Sequence, residues 1–563
     1  MSHGFHVKNE TARKVSSDTF FRVFSVSVEK LLKLTVLALI LLFILYPMIC
    51  IFMRSLYVEN GIGFSNYAEV FFKYKENFLN SITVGISTAL LCTFLSVCTA
   101  LFVYTRTGKF KTALMAVILI SMVAPPFVSS LAYIQLYGRR GWITYRLLGL
   151  SLNPYNAVGV VLMQSISFVP MNALFLLGIL SKIDTSGIKA AQDLGARPGN
   201  ILKDVVIPMM RPGIYVTLLL SFVRSLADFG TPVIIGGRFS TIASEIYLKI
   251  VGYSDLEAAS TMNMFILVPS VAFFFLYRHL MNATGIMTDS QRTSTEPFSL
   301  KLGRCGLFGF TVMSAAALFF IVMALQYICI FASGFMKRKG GGYIFTTEYL
   351  HELLKYDLST MTRSVIYALI VAVLGTFIAI LFAYFTEWRR LKGRSFFDCL
   401  VTIPYMIPGT CFGIGYILAF NHKPLALTGT GIIVIANMIF KQLPTSTKLC
   451  AAAVSQIPRA QEAAVRDLGG SSLSVLKDVI LPGLRPAFFG SFSYNFSTAM
   501  TTAGAVIFLI NPGKKLAVFK LFDAVYSGEY AVASLISMLI IVIVLAVEGI
   551  VYLLSWKEKE NVS

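Results

Sequence analysis

Acidic residues are scarce in this chain. Its 563 residues hold 28 Asp and Glu against 48 Lys and Arg, and charged residues of both signs make up only 13%. So few charges cannot cover the exterior of a globular protein, while 46 Phe and 25 Tyr exclude an intrinsically disordered chain. The eight cysteines (Cys50, Cys92, Cys98, Cys305, Cys329, Cys399, Cys411 and Cys450) form no CxxC pair, and all but Cys305 fall in apolar runs. That pattern argues against a zinc site and against a disulfide framework, and leaves packing as their role. The histidines His3, His6, His279, His351 and His422 lie outside the apolar runs and make no HExxH, which argues against a metalloprotease. No GxxxxGK[ST] loop is present: Gly108-Lys109 is followed by Phe110, and Gly513-Lys514 by Lys515. No small-residue cleavage site follows the first apolar run, which therefore reads as a retained anchor.

Apolar residues, by contrast, reach 56%, with a mean hydropathy of +0.74. Such a composition belongs in a bilayer. Stretches long enough to cross about 30 Å at 1.5 Å per residue occur twelve times. They run over Leu34–Met53, Phe78–Tyr104, Thr112–Tyr137, Ala157–Leu180, Gly213–Ile235, Thr261–Tyr277, Leu307–Phe331, Ser364–Phe385, Cys399–Phe420, Gly431–Leu449, Ala487–Ile510 and Ala531–Leu554. Lipid offers no partner to an unpaired backbone group, so each span is expected to be helical and the fold an all-α polytopic membrane protein. Pro125, Pro126, Pro170, Pro232, Pro408, Gly413 and Gly415 interrupt several spans; kinked helices lining a cavity and ordinary kinks in a packed bundle both account for them. The formal charge of +20 would point to nucleic acid in a soluble domain, but here it reads as topology, with no nucleic-acid partner. Arg106, Lys109 and Lys111 in one short loop, and Arg389, Arg390, Lys392 and Arg394 in another, mark both as cytoplasmic. An even number of spans then places both termini inside.

Self-comparison shows a duplication. Residues 181–212 align without gaps on 455–486 at an offset of 274, with 13 identities in 32 positions, among them Asp193-Leu194-Gly195 against Asp467-Leu468-Gly469; unrelated sequences of this composition would share about two. Upstream, Pro125 and Ala132-Tyr133-Ile134 match Pro408 and Gly415-Tyr416-Ile417 at an offset of 283. The chain therefore divides into an N-terminal segment 1–30, a first six-span half 31–281, a linker 282–304, a second half 305–556 and a tail 557–563. Each half carries its repeated loop between its fourth and fifth spans.

That loop resembles the motif of permease subunits of binding-protein-dependent ABC importers, of the MetI-like type I class: Glu-Ala-Ala, three residues, Gly, nine residues, Ile-x-Leu-Pro. The first copy reads Lys189-Ala190-Ala191, Gly195, Val205-x-Ile207-Pro208, and the second Ala463-Ala464-Val465, Gly469, Val479-x-Leu481-Pro482. Lys189 and Ala463 stand where the family has Glu, and Glu462 lies one residue early, so a family salt bridge does not carry over. The resemblance implies a short coupling helix that docks into an ATPase subunit, with Lys189, Ala190, Ala191, Asp193, Gly195 and Pro208, and Ala463, Ala464, Asp467, Gly469 and Pro482, as the coupling residues. Gly195 and Gly469 are expected to supply a tight turn and close backbone approach, and Pro208, Pro212, Pro482 and Pro486 to break the chain before the next span. Two ATPase copies would supply ATP and Mg²⁺, an extracytoplasmic binding protein would deliver the cargo, and this chain would hold no cofactor and hydrolyse nothing. It would sit, surrounded by lipid, in a bacterial inner membrane.

The fused layout and the stretch Ala227-Asp228-Phe229-Gly230-Thr231-Pro232-Val233-Ile234-Ile235-Gly236-Gly237 resemble ferric-iron importer permeases, whose relatives are proposed to carry phosphonates, sugar phosphates or thiamine. Intramembrane charges are the candidates for a pathway, since charge at that depth is costly. Arg224 and Asp228 lie four apart in the fifth span, on one helical face, and Thr498 and Thr502 occupy the matching positions of the second half. They either line the pathway or neutralise one another as a structural pair. Lys441, opposite Ser167 in the repeat, is a third candidate that could also snorkel or meet a distant acid. Whether any residue ligates a metal is open. An ion-coupled secondary transporter also uses internal repeats but has no need of a duplicated docking loop, and a membrane enzyme would need a cluster of His or carboxylates that the spans lack.

Overall fold

The structure is a computed structural model; it describes residues 25–58, 61–150, 153–183, 185–283, 302–339, 342–356, 358–510 and 512–560. Most of the N-terminal segment 1–30, of the linker 282–304 and part of the tail 557–563 therefore lie outside the described residues. The first half contains helices α1 (Ser25–Ser55), α2 (Lys75–Tyr104), α3 (Gly108–Val123), α4 (Val128–Tyr137), α5 (Ala157–Leu180), α6 (Ser186–Asp193), α7 (Pro198–Ala227), α8 (Gly230–Ile235), α9 (Ile242–Tyr253) and α10 (Leu256–Ala283). The second contains α11 (Gly306–Gly334), α12 (Leu358–Trp388), α13 (Arg394–Met406), α14 (Gly409–Phe420), α15 (Gly431–Ser455), α16 (Ala460–Asp467), α17 (Arg485–Thr501), α18 (Ala517–Tyr526) and α19 (Tyr530–Glu560). Among the described residues eight helices are long and apolar enough to cross a membrane, or ten if each of two bent pairs counts as one span. The other two of the twelve expected spans are helices as well, α15 and α17. In both halves the first span leads into a short antiparallel hairpin, Tyr57–Val58 with Gly61–Ile62 and Met336–Lys339 with Gly342–Phe345, and then into a short helix. The eight cysteines are all free thiols.

Two expected spans are not straight. The chain turns by 105° between Gly108–Val123 and Val128–Leu147, and by 111° between Arg394–Tyr405 and Gly409–Phe420. The cause is local. Ala124 (ψ 137°) and Ile407 (ψ 134°) are extended because each precedes a proline, whose ring excludes the helical region for the residue before it. Two further spans, expected at Gly213–Ile235 and Ala487–Ile510, stop early at one shared repeat position: Asp228 has ψ 109° and Thr502 has ψ 124°, ending α7 and α17.

The halves exchange their first helices. The Tyr416 hydroxyl of α14 donates to the Phe43 carbonyl of α1 at 2.8 Å, and the Phe43 ring lies 5.0 Å from that of Phe440 and 5.4 Å from that of Phe420. Gly415 permits this approach, because a Cβ there would stand 2.9 Å from the Pro47 carbonyl oxygen. Helix α11 crosses in the opposite sense: Ser333 donates to Gln135 of α4 at 2.6 Å, and Phe320 packs on Phe102 of α2. The largest cluster of buried residues thus draws on both halves.

The repeat also exchanges polar partners. Asn172 on α5 donates to Ser221 on α7 at 2.7 Å, whereas in the second half Ser446 on α15 donates to Asn495 on α17 at 2.8 Å. The amide has changed helix and the bond has been kept, as a buried polar pair in a bilayer requires.

Candidate functional site

Helices α6 and α16 are each eight residues long and end alike. Leu194 and Leu468 cap their C-terminal ends, and the Gly195 and Gly469 that follow have φ +75° and +83°. Gly195 N–H donates to Gln192 O and Ala196 N–H to Ala191 O; Gly469 and Gly470 repeat the pattern onto Arg466 and Val465. This pair of bonds satisfies the last carbonyls of the helix and requires a left-handed residue at the glycine position. The expected tight turn is present. Close backbone approach within the chain is not, since a Cβ on either glycine would meet nothing within 4 Å. The turn pushes the preceding leucines outward, leaving Leu194 88% and Leu468 90% exposed. Ala190, Asp193, Ala463, Ala464 and Asp467 share the exposed surface with Lys189, while Ala191 is half-buried. Both leucines recur in the sequence alignment, yet nothing in the spacing marks them as exposed.

Beyond each loop the chain makes a wide π-type turn, Ile201–Val206 and Val475–Ile480. In the first half Pro208 and Pro212 do not break the chain as expected; one helix runs from Pro198 to Ala227. The wide turn just before Pro208 accommodates a ring that lacks an N–H. In the second half the break occurs, at Leu484, between Pro482 and Pro486.

The two loops are held differently. Arg389, in the loop after α12, pairs with Glu462 of α16 at 3.0 Å and with Glu29 of α1 at 2.7 Å, and Arg466 closes on Glu462 at 2.7 Å. Glu462, one residue out of register with the family motif, thus makes an ion-pair network of its own. Burial pushes its carboxyl upward, but the hydrogen bond from Arg466 and the charges of Arg389 and Arg466 outweigh this and hold it below its ordinary 4.5. At the matching positions the first half has Arg106, lying over the Phe102 ring at 4.5 Å, and the buried Ile188.

The three intramembrane candidates separate. Arg224 and Asp228 do not pair, because α7 ends at Ala227 and the i, i+4 relation fails where the helix stops. Asp228 accepts from the Gln164 side chain at 3.0 Å and from the Thr231 N–H at 3.2 Å, and so begins α8. Gln164 in turn accepts from Ser225 at 2.6 Å and Thr88 at 3.2 Å. The second half has Met438, Ala499 and Val371 in place of Gln164, Ser225 and Thr88, so this polar cluster belongs to one side only. Gln164 was missed by sequence reasoning, although an amide in an apolar run was a usable signal. Arg224 bonds the Met171 sulfur and lies 6.0 Å from the Phe168 ring, with no acidic partner among the described residues. Lys441 has no acidic partner among the described residues; its ammonium donates to the carbonyls of Pro404 and Ile407, which the bend between α13 and α14 leaves open.

Where these helices break, rings of both halves meet. Phe229 stacks on Tyr247 at 5.2 Å, Tyr247 lies 6.3 Å from Phe508, and Phe522 lies 4.9 Å from Phe127 and 5.8 Å from Tyr247. Gly230 makes room for this layer, since a Cβ there would fall 2.4 Å from the Phe127 ring. Gly504 occupies the matching repeat position and lies beside Phe229. The layer ties α4, α8, α9 and α18 across the seam between the halves.

Comparison with known proteins agrees with the duplicated geometry. The chain is 29% identical over 534 residues, 91% of its own length and 76% of the relative's, to the ferric transport system permease protein FbpB of Actinobacillus pleuropneumoniae. It is 31% identical over 500 residues, 85% and 77% of the two lengths, to the putative ferric transport system permease protein FbpB 1 of Haemophilus influenzae. A shorter match, 27% over 269 residues, 46% of this chain and 93% of the relative, is to the putative 2-aminoethylphosphonate transport system permease protein PhnU of Salmonella typhi. The binding-protein-dependent transport system inner membrane component family matches twice, over residues 81–286 and 371–557, and the chain belongs to that family as a multi-pass inner membrane permease.

Proposed function

We propose that this chain forms the whole translocation unit of an ABC importer for ferric iron, with both permease halves, 31–281 and 305–556, in one polypeptide. One observation carries the mechanical part: two short helices at matching repeat positions, each stopped by a left-handed glycine and each presenting a leucine about nine-tenths exposed. A single exposed leucine is ordinary, but a duplicated one on a rigid stop is a knob for a socket. Each loop receives one ATPase subunit, and those two subunits bind ATP and Mg²⁺ and carry out the hydrolysis. The loops face the cytoplasm, as do both termini, and an extracytoplasmic binding protein delivers cargo to the opposite face. Movement of α6 and α16 is passed through the continuous helix α7, and through α17, to the breaks at Asp228 and Thr502, where the aromatic layer closes the seam.

The ferric assignment rests on the two long relatives. A phosphonate or similar oxyanion is the second reading, supported by the relative from Salmonella and by Arg224, which has no acidic partner among the described residues and would attract an anion. Reconstituting the chain with its ATPase and binding protein tests both. Uptake of ⁵⁵Fe³⁺ that requires ATP and disappears in the double variant Leu194→Asp, Leu468→Asp supports the first reading. ATP-driven uptake of 2-aminoethylphosphonate without iron replaces it by the second.

A further inference from the structure

On the side of the molecule that carries the repeated loops, a cavity of about 540 Å³ lies between the α12–α13 connection and the segment that leads from α15 into α16. Glu387, Arg390, Arg394 and Arg459 line it, over an apolar floor of Val454 and Ile457. Three guanidinium groups and one carboxylate line it together, and that carboxylate is already held by Arg394 at 3.3 Å. Arg459 is fixed in place: it donates to the Trp388 carbonyl at 2.7 Å and the Glu387 carbonyl at 2.9 Å, and it lies 4.2 Å over the Trp388 ring. Arg390 is exposed, has no side-chain partner among the described residues, and holds φ at +48°, a conformation that costs a non-glycine residue roughly 1 kcal/mol. This left-handed residue stops α12, with the Leu391 N–H returning to the Phe385 carbonyl, and it leaves the unpaired Arg390 charge at the cavity.

Topology alone does not account for this grouping. Basic residues in the α12–α13 connection follow from the positive-inside rule, but Arg459 comes from a different segment and meets them in space. Nor is the cluster a requirement of the duplicated fold, for Arg390, Arg394 and Arg459 correspond to Thr107, Lys111 and Thr185 in the first half. Two positive charges in excess at one crevice repel each other and favour a counter-ion, and guanidinium forks match the oxygens of a phosphate group. The geometry points to a single phosphate-binding site in the second half, held by Arg390, Arg394 and Arg459. The phosphate group is that of an acidic phospholipid or of a small soluble phosphate. It bridges the α12–α13 connection to the entrance of α16 and stiffens that coupling loop alone. The assignment does not depend on which cargo the permease carries.

Trp388 beneath Arg459 is a built-in reporter, and it is one of only three tryptophans. The full chain carrying Trp142→Phe and Trp556→Phe is placed in phosphatidylcholine nanodiscs and titrated with inorganic phosphate, with chloride at equal ionic strength as control. It is also placed in nanodiscs containing phosphatidylglycerol. A saturable change in Trp388 emission with phosphate assigns a soluble ligand, and a change seen only with phosphatidylglycerol assigns a lipid; either supports the site. The double variant Arg390→Gly, Arg394→Gln should weaken the response at least tenfold. Arg390→Gly also relieves the backbone strain, so a loss of binding at unchanged melting temperature is not misfolding. Arg390→Lys should restore part of the response. No response to either probe, a response equal in the double variant, or one that appears only when the ATPase subunit is added overturns the proposal. In the last case the cavity is a seat for a side chain of the partner.

Discussion

If the glycines of the two loops act through their backbone conformation, a graded set of substitutions at Gly195 and Gly469 has a defined order of effect. At φ +75° and +83° a residue with a Cβ costs about 1–2 kcal/mol, and asparagine, which tolerates the left-handed region, costs least. Space adds nothing within this chain, because a Cβ at either position meets no atom within 4 Å. A penalty of 1–2 kcal/mol lowers the ratio of stopped to unstopped helix about 5- to 30-fold. It acts at both loops, so Gly195→Ala with Gly469→Ala should cost about twice the single change. The assay is binding-protein-stimulated ATP hydrolysis in proteoliposomes, with complex assembly followed in parallel. The expected order is wild type, then Asn, then Ala, then Val, with assembly affected before the spans unfold. The reasoning fails if Asn is worse than Ala. Side-chain size would then govern, and the glycines would serve close approach of the ATPase rather than the turn.

Further outcomes follow from the same geometry. Leu194→Asp should abolish stimulation without altering melting, because the side chain is 88% exposed and touches little of its own chain; an unchanged rate refutes the knob. Lys189→Glu should alter cross-linking to the ATPase at the first loop only, since Ala463 stands at the matching place, and equal changes at both loops would refute that asymmetry. Glu462 is held below its ordinary pKa, so its contribution is complete above pH 4.5 and is lost as pH falls through the lower value. The melting difference between wild type and Glu462→Gln should be constant near neutrality and close only in acid, and a difference that vanishes already near pH 6 contradicts the network. Asp228→Asn should impair assembly by about 1.5–3 kcal/mol through the bonds to Gln164 and Thr231, whereas Arg224→Gln should reduce uptake with assembly intact. Restoration by the double variant would show that the two residues pair after all. Lys441→Met opens two carbonyls in the bilayer and should lower stability while leaving cargo selectivity unchanged; changed selectivity at normal stability would place Lys441 in the pathway.

What the sequence determined by itself is local or repetitive. Apolar runs long enough to span a bilayer must be helical, because lipid leaves no other way to satisfy the backbone, and all twelve candidate stretches contain helix. The duplication around Asp193-Leu194-Gly195 and Asp467-Leu468-Gly469 placed the loops, and the glycines' positive φ follows from a helix stop of that composition. Even the bends at Pro125 and Pro408 were written there, as constraints on Ala124 and Ile407, though not their angles. The tertiary structure decided the rest, because it depends on which surfaces face one another. Two homologous halves have interchangeable apolar faces, and only packing selects the arrangement in which α1 and α11 cross to the opposite half. The separation of Arg224 from Asp228 turns on one ψ angle at the end of α7, and a spacing of four residues has its helical meaning only while the helix lasts. Lys441 reads as a stray charge until the carbonyls of Pro404 and Ile407 are set beside it. Arg459 joins Arg390 and Arg394 across more than sixty residues, and the shape of the cavity that unites them exists in no single segment of the chain.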